Sequence, residues 1–318
     1  MKKIITVILV LLLTFTMVTG CGNGVPDSVT EIINVATLNG PTGIGMTKLM
    51  DQTDKYNITV YQAPTDVVGK MINGEIDIAA VPSNLAATLY NKTGGKVVAI
   101  SPITMGVLYI LGNETDVEDV TDLKGKTIVA SGKGGAPEYI LQKILKDAGL
   151  TIGKDVQVDW LANHTDVNKK LLTQKGTVAM LPEPFVSVAE DNEKADIEEL
   201  FDLNELWEKS TGESLPMGVL VAQKDFVEER ESDLKLFLYD YGLSVDFVND
   251  DEESAKAVVD AGFIGKVEVA EDAIPNCNIV LFENRKEGHS ILKKFNEILF
   301  EMEPASIGGK LPDEEFYY

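Results

Sequence analysis

The chain has 318 residues, of which 51 are acidic and 28 basic, and its formal net charge is −23. Hydrophobic residues make up 44% of it, too large a fraction for a disordered acidic chain, and the length fits two lobes of about 100 to 200 residues each. Nucleic-acid binding is not expected, because it requires clustered lysines and arginines. The two arginines, Arg230 and Arg285, lie among acidic residues, so a site built on an arginine–carboxylate fork is not expected either.

The first residues are organised as an export signal. Two lysines precede an apolar run at 4–18, which is shorter than the roughly 20 residues that span a bilayer. Cys21 follows Val-Thr-Gly, and this segment resembles the bacterial lipobox, in which the cysteine is lipidated. We therefore predict a signal peptide at 1–20, a lipid anchor on Cys21 and a flexible tether at 21–30. The alternatives are an ordinary cleaved signal with an incidental cysteine, and an uncleaved anchor helix.

Cysteine usage limits the chemistry of the exported chain. Beyond Cys21 the sequence contains one cysteine, Cys277, so it has no intramolecular disulfide and no CxxC site. Cys277 is interpreted as a buried thiol without a role. Because HExxH, EF-hand and paired-histidine spacings are also missing from the sequence, neither a metal nor another cofactor is expected.

The predicted elements occur twice in the same order. Each set has a strand that ends in a glycine-rich turn, a second strand, and then a helix followed by an apolar strand that stops at proline. The first set occupies 33–45, 57–63 and 65–82, and the second occupies 126–137, 155–162 and 165–182. The last segments of the two sets align without a gap. This repeat predicts two duplicated α/β lobes, each with an open and mainly parallel sheet.

A shorter repeat marks the joints between these lobes. Residues 105–108 and 217–220 both read Met-Gly-Val-Leu, and each opens an apolar strand. We predict that these segments are two crossing hinge strands, although a coincidental match is the alternative. The predicted lobes are 31–107 with 218–318 for the first, whose last part is helical and acidic, and 108–217 for the second.

Together these features resemble the solute-binding lipoproteins of bacterial ABC importers, with the type II periplasmic-binding-protein fold. The sequence GEIDIAAVPSN at 74–84 and the Glu183-Pro184 pair are similar to the NMT1/THI5-like group, also called SsuA/NrtA/TauA-like. The resemblance implies a monomer held by its lipid on the outer face of the cytoplasmic membrane. Its implied partners are a small-molecule ligand and the permease and ATPase subunits. Members usually have an aromatic residue before the Glu-Pro pair, and Trp160 or Phe185 are the candidates to replace it.

The candidate site follows from the rule that ligands bind beyond the carboxyl ends of strands in open α/β sheets. Applied to both lobes, the rule selects facing loops. From the first lobe the candidates are Gly40, Pro41, Thr42, Gly43, Ser83, Asn84 and Thr104. From the second lobe they are Ser131, Lys133, Gly134, Gly135, His164 and Glu183.

These candidates point to different ligand chemistries. The glycine-rich turn at 131–137 precedes a helix, so its backbone amides and Lys133 would suit an oxyanion, unless the glycines only make a tight turn. Glu183 would instead accept from an amino group, or cap a helix. His164 would donate a hydrogen bond to a ligand, or it would only be a surface residue that caps the start of a helix.

The resulting functional prediction is binding without catalysis. The chain is interpreted as the extracytoplasmic solute-binding component of an ABC importer, which captures a sulfonate, nitrate, carboxylate or thiamine-type pyrimidine between its lobes and delivers it to the permease. The alternatives are an enzyme of the pyrimidine synthase or dehydratase type on the same fold, and a surface sensory module. The export signal and the lack of a base–nucleophile arrangement argue against the enzyme.

Overall fold

The computed structural model of the protein describes residue 26 and residues 28–318. The predicted signal peptide, the lipidation site Cys21 and most of the predicted tether lie outside the described residues. Among the helices of the described part, none is both long enough and apolar enough to cross a membrane.

Lobe 1 is built on a five-stranded sheet with the order β2-β1-β3-β10-β4. Its elements are β1 (Ile33–Leu38), α1 (Pro41–Ile44), β2 (Tyr56–Tyr61), α2 (Pro64–Ile72), β3 (Ile78–Pro82), α3 (Ser83–Thr93) and β4 (Val97–Thr104). The strand β10, which completes this sheet, comes from Gly218–Gln223 and enters it after the whole of lobe 2.

Lobe 2 is built on a second five-stranded sheet, with the order β7-β6-β8-β5-β9. Its elements are β5 (Leu108–Asn113), β6 (Thr127–Ala130), α4 (Ala136–Asp147), β7 (Gln157–Trp160), α5 (His164–Thr173), β8 (Val178–Pro182), α6 (Phe185–Glu190), β9 (Ile197–Asp202) and α7 (Leu203–Thr211).

The C-terminal third of the chain is mainly helical. Its helices are α8 (Lys224–Glu229), α9 (Glu231–Asp250), α10 (Ser254–Asp260), α11 (Val267–Asn276) and α12 (Arg285–Met302). Short 3₁₀ helices lie at Thr47–Leu49, Val120–Leu123, Pro304–Ile307 and Glu314–Phe316. The helix α9 packs on the first of these, and α12 packs on β4 and α3.

The two sheets have the same spatial order, which confirms the predicted duplication. The central strands β3 and β8 are apolar and almost fully buried, because helices cover both of their faces. In each sheet the fourth strand, β10 or β5, is antiparallel to both of its neighbours. These two strands begin at Gly218 and Leu108, within the repeated Met-Gly-Val-Leu segments, so the predicted crossing strands are confirmed.

The two prolines that end the central strands lie at different distances from the helices that follow them. Pro82 is the N-cap residue of α3, one position before the first helical residue. Pro182 ends β8, and two further residues separate it from α6, whose N-cap is Pro184 after a cis Glu183–Pro184 peptide bond. The equivalence of the two lobes therefore holds for the strands better than for the turns after them.

The lobes contact each other on both sides of the space between them. Asn84 of lobe 1 hydrogen-bonds to the turn before α4 of lobe 2, with its Nδ2 3.3 Å from the carbonyl oxygen of Gly134. Lys266, at the start of α11, pairs with Asp191 at the end of α6 at 2.6 Å. These contacts describe a closed arrangement of the two lobes.

Candidate ligand-binding site

A cavity of about 140 Å³ lies between the two lobes. Loops that follow strands of both sheets form part of its wall, which agrees with the topology rule for open α/β sheets. Its wall is formed by Leu38, Asn39, Gly40, Pro41, Thr42, Pro82, Thr104, Val107, Leu108, Pro137, His164, Pro182, Glu183, Phe185, Met217 and Gly218.

Five helices begin at this wall, namely α1, α3, α4, α5 and α6. The amino-terminal end of a helix carries unpaired backbone N–H groups and a partial positive charge. The wall contains no lysine or arginine from the described residues. The described residues of the wall therefore offer an anion backbone dipoles and no cationic side chain.

The lobe 1 side of the wall contains two threonines. The Thr42 hydroxyl donates to the carbonyl oxygen of Leu38 at 3.3 Å. Thr104 is 2% exposed, and its hydroxyl has no hydrogen-bond partner among the described residues. A Cβ atom at Gly218 would lie 2.5 Å from Thr104 Oγ1 and 2.6 Å from Thr42 Cγ2, so only glycine fits between them.

His164, the first residue of α5, lies on the lobe 2 side of the wall. Its Nδ1 is 2.7 Å from Ser131 Oγ, and its ring centroid is 5.3 Å from that of Phe185. Burial lowers the pKa of His164 to about 4. The imidazole is therefore neutral at pH 7. Ser131 itself is 2% exposed and lies behind His164.

Glu183 is a wall residue whose carboxylate is occupied by the helix that follows. It is 2% exposed, and it accepts hydrogen bonds from the backbone N–H and hydroxyl of Ser187 at 3.0 to 3.3 Å. This is the capping role named above as one alternative. Burial raises the pKa of Glu183 to about 7, although the bonds from Ser187 act against this shift.

The glycine-rich turn before α4 does not offer the free amides that its sequence suggested. The Gly134 N–H donates to the Glu138 carboxylate at 2.6 Å, and the Gly135 N–H donates to the carbonyl oxygen of Gly132 at 3.0 Å. Lys133 is exposed, and neither it nor these glycines belong to the wall. In this closed arrangement the turn therefore connects a strand to a helix and does not enclose an anion.

Three further candidates also lie away from the wall. Ser83 is buried and donates to the carbonyl oxygen of Pro216 at 2.6 Å. Asn84 is buried and bonds to lobe 2 and to Ser306. Gly43 is packed so closely that a Cβ atom would lie 2.4 Å from the ring of Phe263. Each of these three residues makes contacts between separate segments of the chain, by hydrogen bonds or by close packing.

The structure thus brings six of the candidates together at one wall: Gly40, Pro41, Thr42, Thr104, His164 and Glu183. Sequence reasoning missed Leu38, and it treated Val107, Leu108, Met217 and Gly218 only as part of a hinge. The Met-Gly-Val-Leu repeat was the available signal for these residues. Of the two aromatic candidates, Phe185 lines the cavity, whereas Trp160 packs against the hydrophobic core.

Solved structures share this fold. An ABC transporter protein from Parabacteroides distasonis is 23% identical, with a TM-score of 0.73, and the match covers 91% of this chain and 99% of that one. The periplasmic aliphatic sulphonate binding protein SsuA from Escherichia coli is 16% identical, with a TM-score of 0.71 and coverage of 91% and 92%. The alkanesulfonate-binding protein SsuA from Xanthomonas axonopodis pv. citri, bound to MOPS, is 14% identical, with a TM-score of 0.67 and coverage of 90% and 96%.

These similarities confirm the predicted type II periplasmic-binding-protein fold. No curated protein sequence matches the chain. The placement in the NMT1/THI5-like group stays a prediction. The family description "ABC transporter, phosphonate, periplasmic substrate-binding protein" matches residues 46–273, which is well over half of the chain. The chain therefore belongs to the phosphonate family of ABC transporter periplasmic substrate-binding proteins.

Proposed function

We propose that the protein captures a compact oxyanion, of the phosphonate or sulfonate class, in the cavity between its lobes. The observation that carries this proposal is the convergence of five helix amino termini on one small cavity. Helix dipoles favour anions there, and they disfavour cations. The family description supports a phosphonate.

The size of the cavity restricts the solute. Its volume of about 140 Å³ is close to the roughly 150 Å³ of an engineered cavity that holds one benzene molecule. A methylphosphonate, methanesulfonate or nitrate ion fits within such a volume. The neutral side-chain donors available to its oxygen atoms include the Thr104 hydroxyl, the Asn39 amide and the His164 ring.

A second ligand class, an aminopyrimidine or another amine, is favoured by one observation. Glu183 places a carboxyl group at the wall beside the aromatic ring of Phe185, and an ionised carboxylate accepts from an amino group. The dipoles that favour anions argue against a charged amine. The two classes respond oppositely to Glu183→Gln, because this change replaces a charged acceptor for the amine with a neutral amide and removes a negative charge that repels the oxyanion.

The arrangement of polar groups supports binding without catalysis. The Ser131 hydroxyl is 2% exposed and lies outside the cavity wall, so a substrate in the cavity does not reach it as a nucleophile. The Glu183 carboxylate is bonded to Ser187. The enzyme and the sensory module named above remain the alternative functions. Activity assays test the first, and transport by a reconstituted permease tests the second.

The remaining parts of the proposal concern the cell. We propose that residues 1–20 direct export and that Cys21 carries the lipid that holds a monomeric protein on the outer face of the cytoplasmic membrane. The lobes at 31–107 with 218–318 and at 108–217 then close over the solute and present it to the permease. Cys21→Ala should release the protein from the membrane, and continued lipid labelling of this variant would contradict the anchor.

The experiment that tests the ligand class is a thermal-unfolding screen. Methylphosphonate, methanesulfonate, nitrate, acetate and 4-aminopyrimidine are added to the described part of the chain at concentrations well above micromolar. A bound ligand raises the melting temperature, because it stabilises the folded state by RT ln(1 + [L]/Kd). Stabilisation by the oxyanions supports the proposal. Stabilisation by the aminopyrimidine alone, abolished in Glu183→Gln, would replace it with the second ligand class.

A further inference from the structure

The hydrogen bond between Ser131 and His164 determines which nitrogen of the imidazole carries the proton. Ser131 Oγ is 2.7 Å from Nδ1, and the serine is 2% exposed. His164 is its one side-chain hydrogen-bond partner in the described residues. A buried hydroxyl must place its hydrogen on an acceptor, since an unpaired donor costs about 1 to 3 kcal/mol. Ser131 therefore donates to Nδ1, which carries no hydrogen of its own.

The other nitrogen of His164 is then the donor. A neutral imidazole has one N–H, and Nδ1 is the acceptor in this bond, so Nε2 carries the hydrogen. Nε2 bonds to no described residue, and His164 is a residue of the cavity wall. An N–H without a partner at a cavity wall is a donor available to a bound solute.

The sheet of lobe 2 explains why the two residues meet. Ser131 directly follows β6 and His164 follows β7 at the start of α5, and these strands are parallel neighbours in which Ala130 pairs with Trp160. Side chains just beyond the ends of adjacent parallel strands lie side by side. The pair is therefore set by the backbone of the fold.

We propose that Ser131 is a positioning residue that holds His164 in the Nε2–H tautomer, so that the cavity presents a neutral N–H donor to an acceptor atom of the solute. This inference rests on the proposed oxyanion function for the identity of the solute. It assigns Ser131 no contact with the ligand, in contrast to the expectation from the sequence.

The donor set that results matches the proposed solute. The Nε2–H from lobe 2 adds to the side-chain donors of lobe 1 at the wall, the Thr104 hydroxyl and the Asn39 amide. An oxyanion with several equivalent oxygens can accept from both lobes. Since these donors belong to different lobes, the solute would connect them only when the lobes are closed.

The tautomer is measured by nuclear magnetic resonance on protein with ¹⁵N-labelled histidine, without ligand, at pH 7. The sequence has two histidines, and the second provides an internal reference. Nε2 of His289 is 2.9 Å from the carbonyl oxygen of Ile100, which can only accept, so His289 must be the Nε2–H tautomer. We expect wild-type His164 to give the same pattern of protonated Nε2 and unprotonated Nδ1 signals as His289. A hydrogen on Nδ1 of His164 would overturn the proposal.

Two variants separate positioning from simple packing. In Ser131→Ala, His164 loses its donor, so its signals should move toward a mixture of tautomers while those of His289 stay unchanged. Ser131→Thr retains the hydroxyl and should restore the wild-type pattern. An unchanged His164 pattern in Ser131→Ala would contradict the inference, and if this variant does not fold, the wild-type spectrum alone decides.

Binding is measured separately by calorimetry with methylphosphonate as the probe. Loss of one aligned donor should weaken binding about tenfold in Ser131→Ala, with recovery in Ser131→Thr. Equal affinity in the alanine variant and the wild type would overturn the link between tautomer and ligand. If the wild type does not bind the probe, the oxyanion function fails while the spectra still decide the tautomer.

Discussion

The side-chain oxygen of Asn84 in lobe 1 accepts a hydrogen bond from the backbone N–H of Ala136 in lobe 2, at 3.0 Å. Ala136 is the first residue of α4, and that helix has no side-chain cap from its own N-cap residue. The Asn84 amide nitrogen donates to Gly134 and Ser306. A helix of one lobe is thus capped by a residue of the other, and this cap exists only while the lobes are closed.

Asn84→Ala should therefore shift the protein toward an open arrangement. A helix cap contributes about 0.5 to 2 kcal/mol, so the affinity for a ligand that requires closure should fall about tenfold. The affinity is measured by calorimetry and the arrangement of the lobes by small-angle X-ray scattering. Asn91→Ala is the matched control, because Asn91 lies on the same helix but donates to Ile307 and Lys310 of the same lobe. Equal losses of affinity in both variants would contradict a closure role for Asn84.

Lys133→Ala should leave ligand affinity within about twofold of the wild type. Lys133 is exposed between Gly132 and Gly134 and lies outside the cavity wall, and exposed charges at such sites contribute little. The measurement is a calorimetric titration with methylphosphonate at two salt concentrations. A tenfold loss would show that Lys133 reaches the solute, as the sequence suggested.

Glu183 should make the protein less stable as the pH rises. Burial raises its pKa from 4.5 to about 7, so between these values the folded state binds a proton that the unfolded state has released. This contribution to stability is present below pH 4.5 and is lost as the pH rises through 7, with a size of up to about 3 kcal/mol. Unfolding by denaturant at pH 5 and pH 8 measures it.

The matched control for this prediction is Glu183→Gln, which cannot titrate. His164 contributes in the opposite direction, because its pKa is lowered to about 4, and the raised pKa values of the Glu190 and Glu199 carboxyls add to the effect of Glu183. The difference between the wild type and Glu183→Gln isolates the effect of Glu183. Parallel stability curves for the two proteins would show that Glu183 is ionised at both pH values.

Gly218→Ala should weaken binding by more than tenfold and also destabilise the fold. Its Cβ would approach Thr104 and Thr42 to within 2.6 Å, and displacing these side chains would change the cavity wall. Gly242→Ala in α9 is a suitable control, since its nearest contact would be an ordinary 3.5 Å to Leu281. Melting temperature and calorimetric affinity are measured for both. Unchanged binding in Gly218→Ala would place the solute away from the crossing strand.

The architecture was predictable because it is encoded twice. The segments 65–82 and 165–182 place the central strand in each sheet, and the Met-Gly-Val-Leu repeat places the strand beside it. Repeated apolar patterns are a strong signal, since each must bury the same faces. The loops at the strand ends then follow from the topology, which is why Thr42, Thr104, His164 and Glu183 were found.

The roles of individual side chains were less predictable, because they depend on contacts that no local pattern records. The sequence does not indicate that the partner of Asn84 is Ala136 in the other lobe. It also does not indicate which side of a glycine turn faces the solute: Gly132 and Gly134 have φ angles of 83° and 80°, and Lys133 between them lies at the exposed tip.

The position of β10 has a consequence for the order of folding during synthesis. All five strands of the lobe 2 sheet come from residues 108–202, whereas the lobe 1 sheet needs Gly218–Gln223 between β3 and β4. As the chain emerges from the ribosome, lobe 2 can complete its sheet first. The edges of β3 and β4 that pair with β10 remain unpaired during this time. Such edges promote aggregation. A nascent chain is therefore most prone to aggregate after β4 has been synthesised and before residue 223 has appeared. During that interval lobe 2 is a folded insertion within a lobe 1 sheet that is still incomplete.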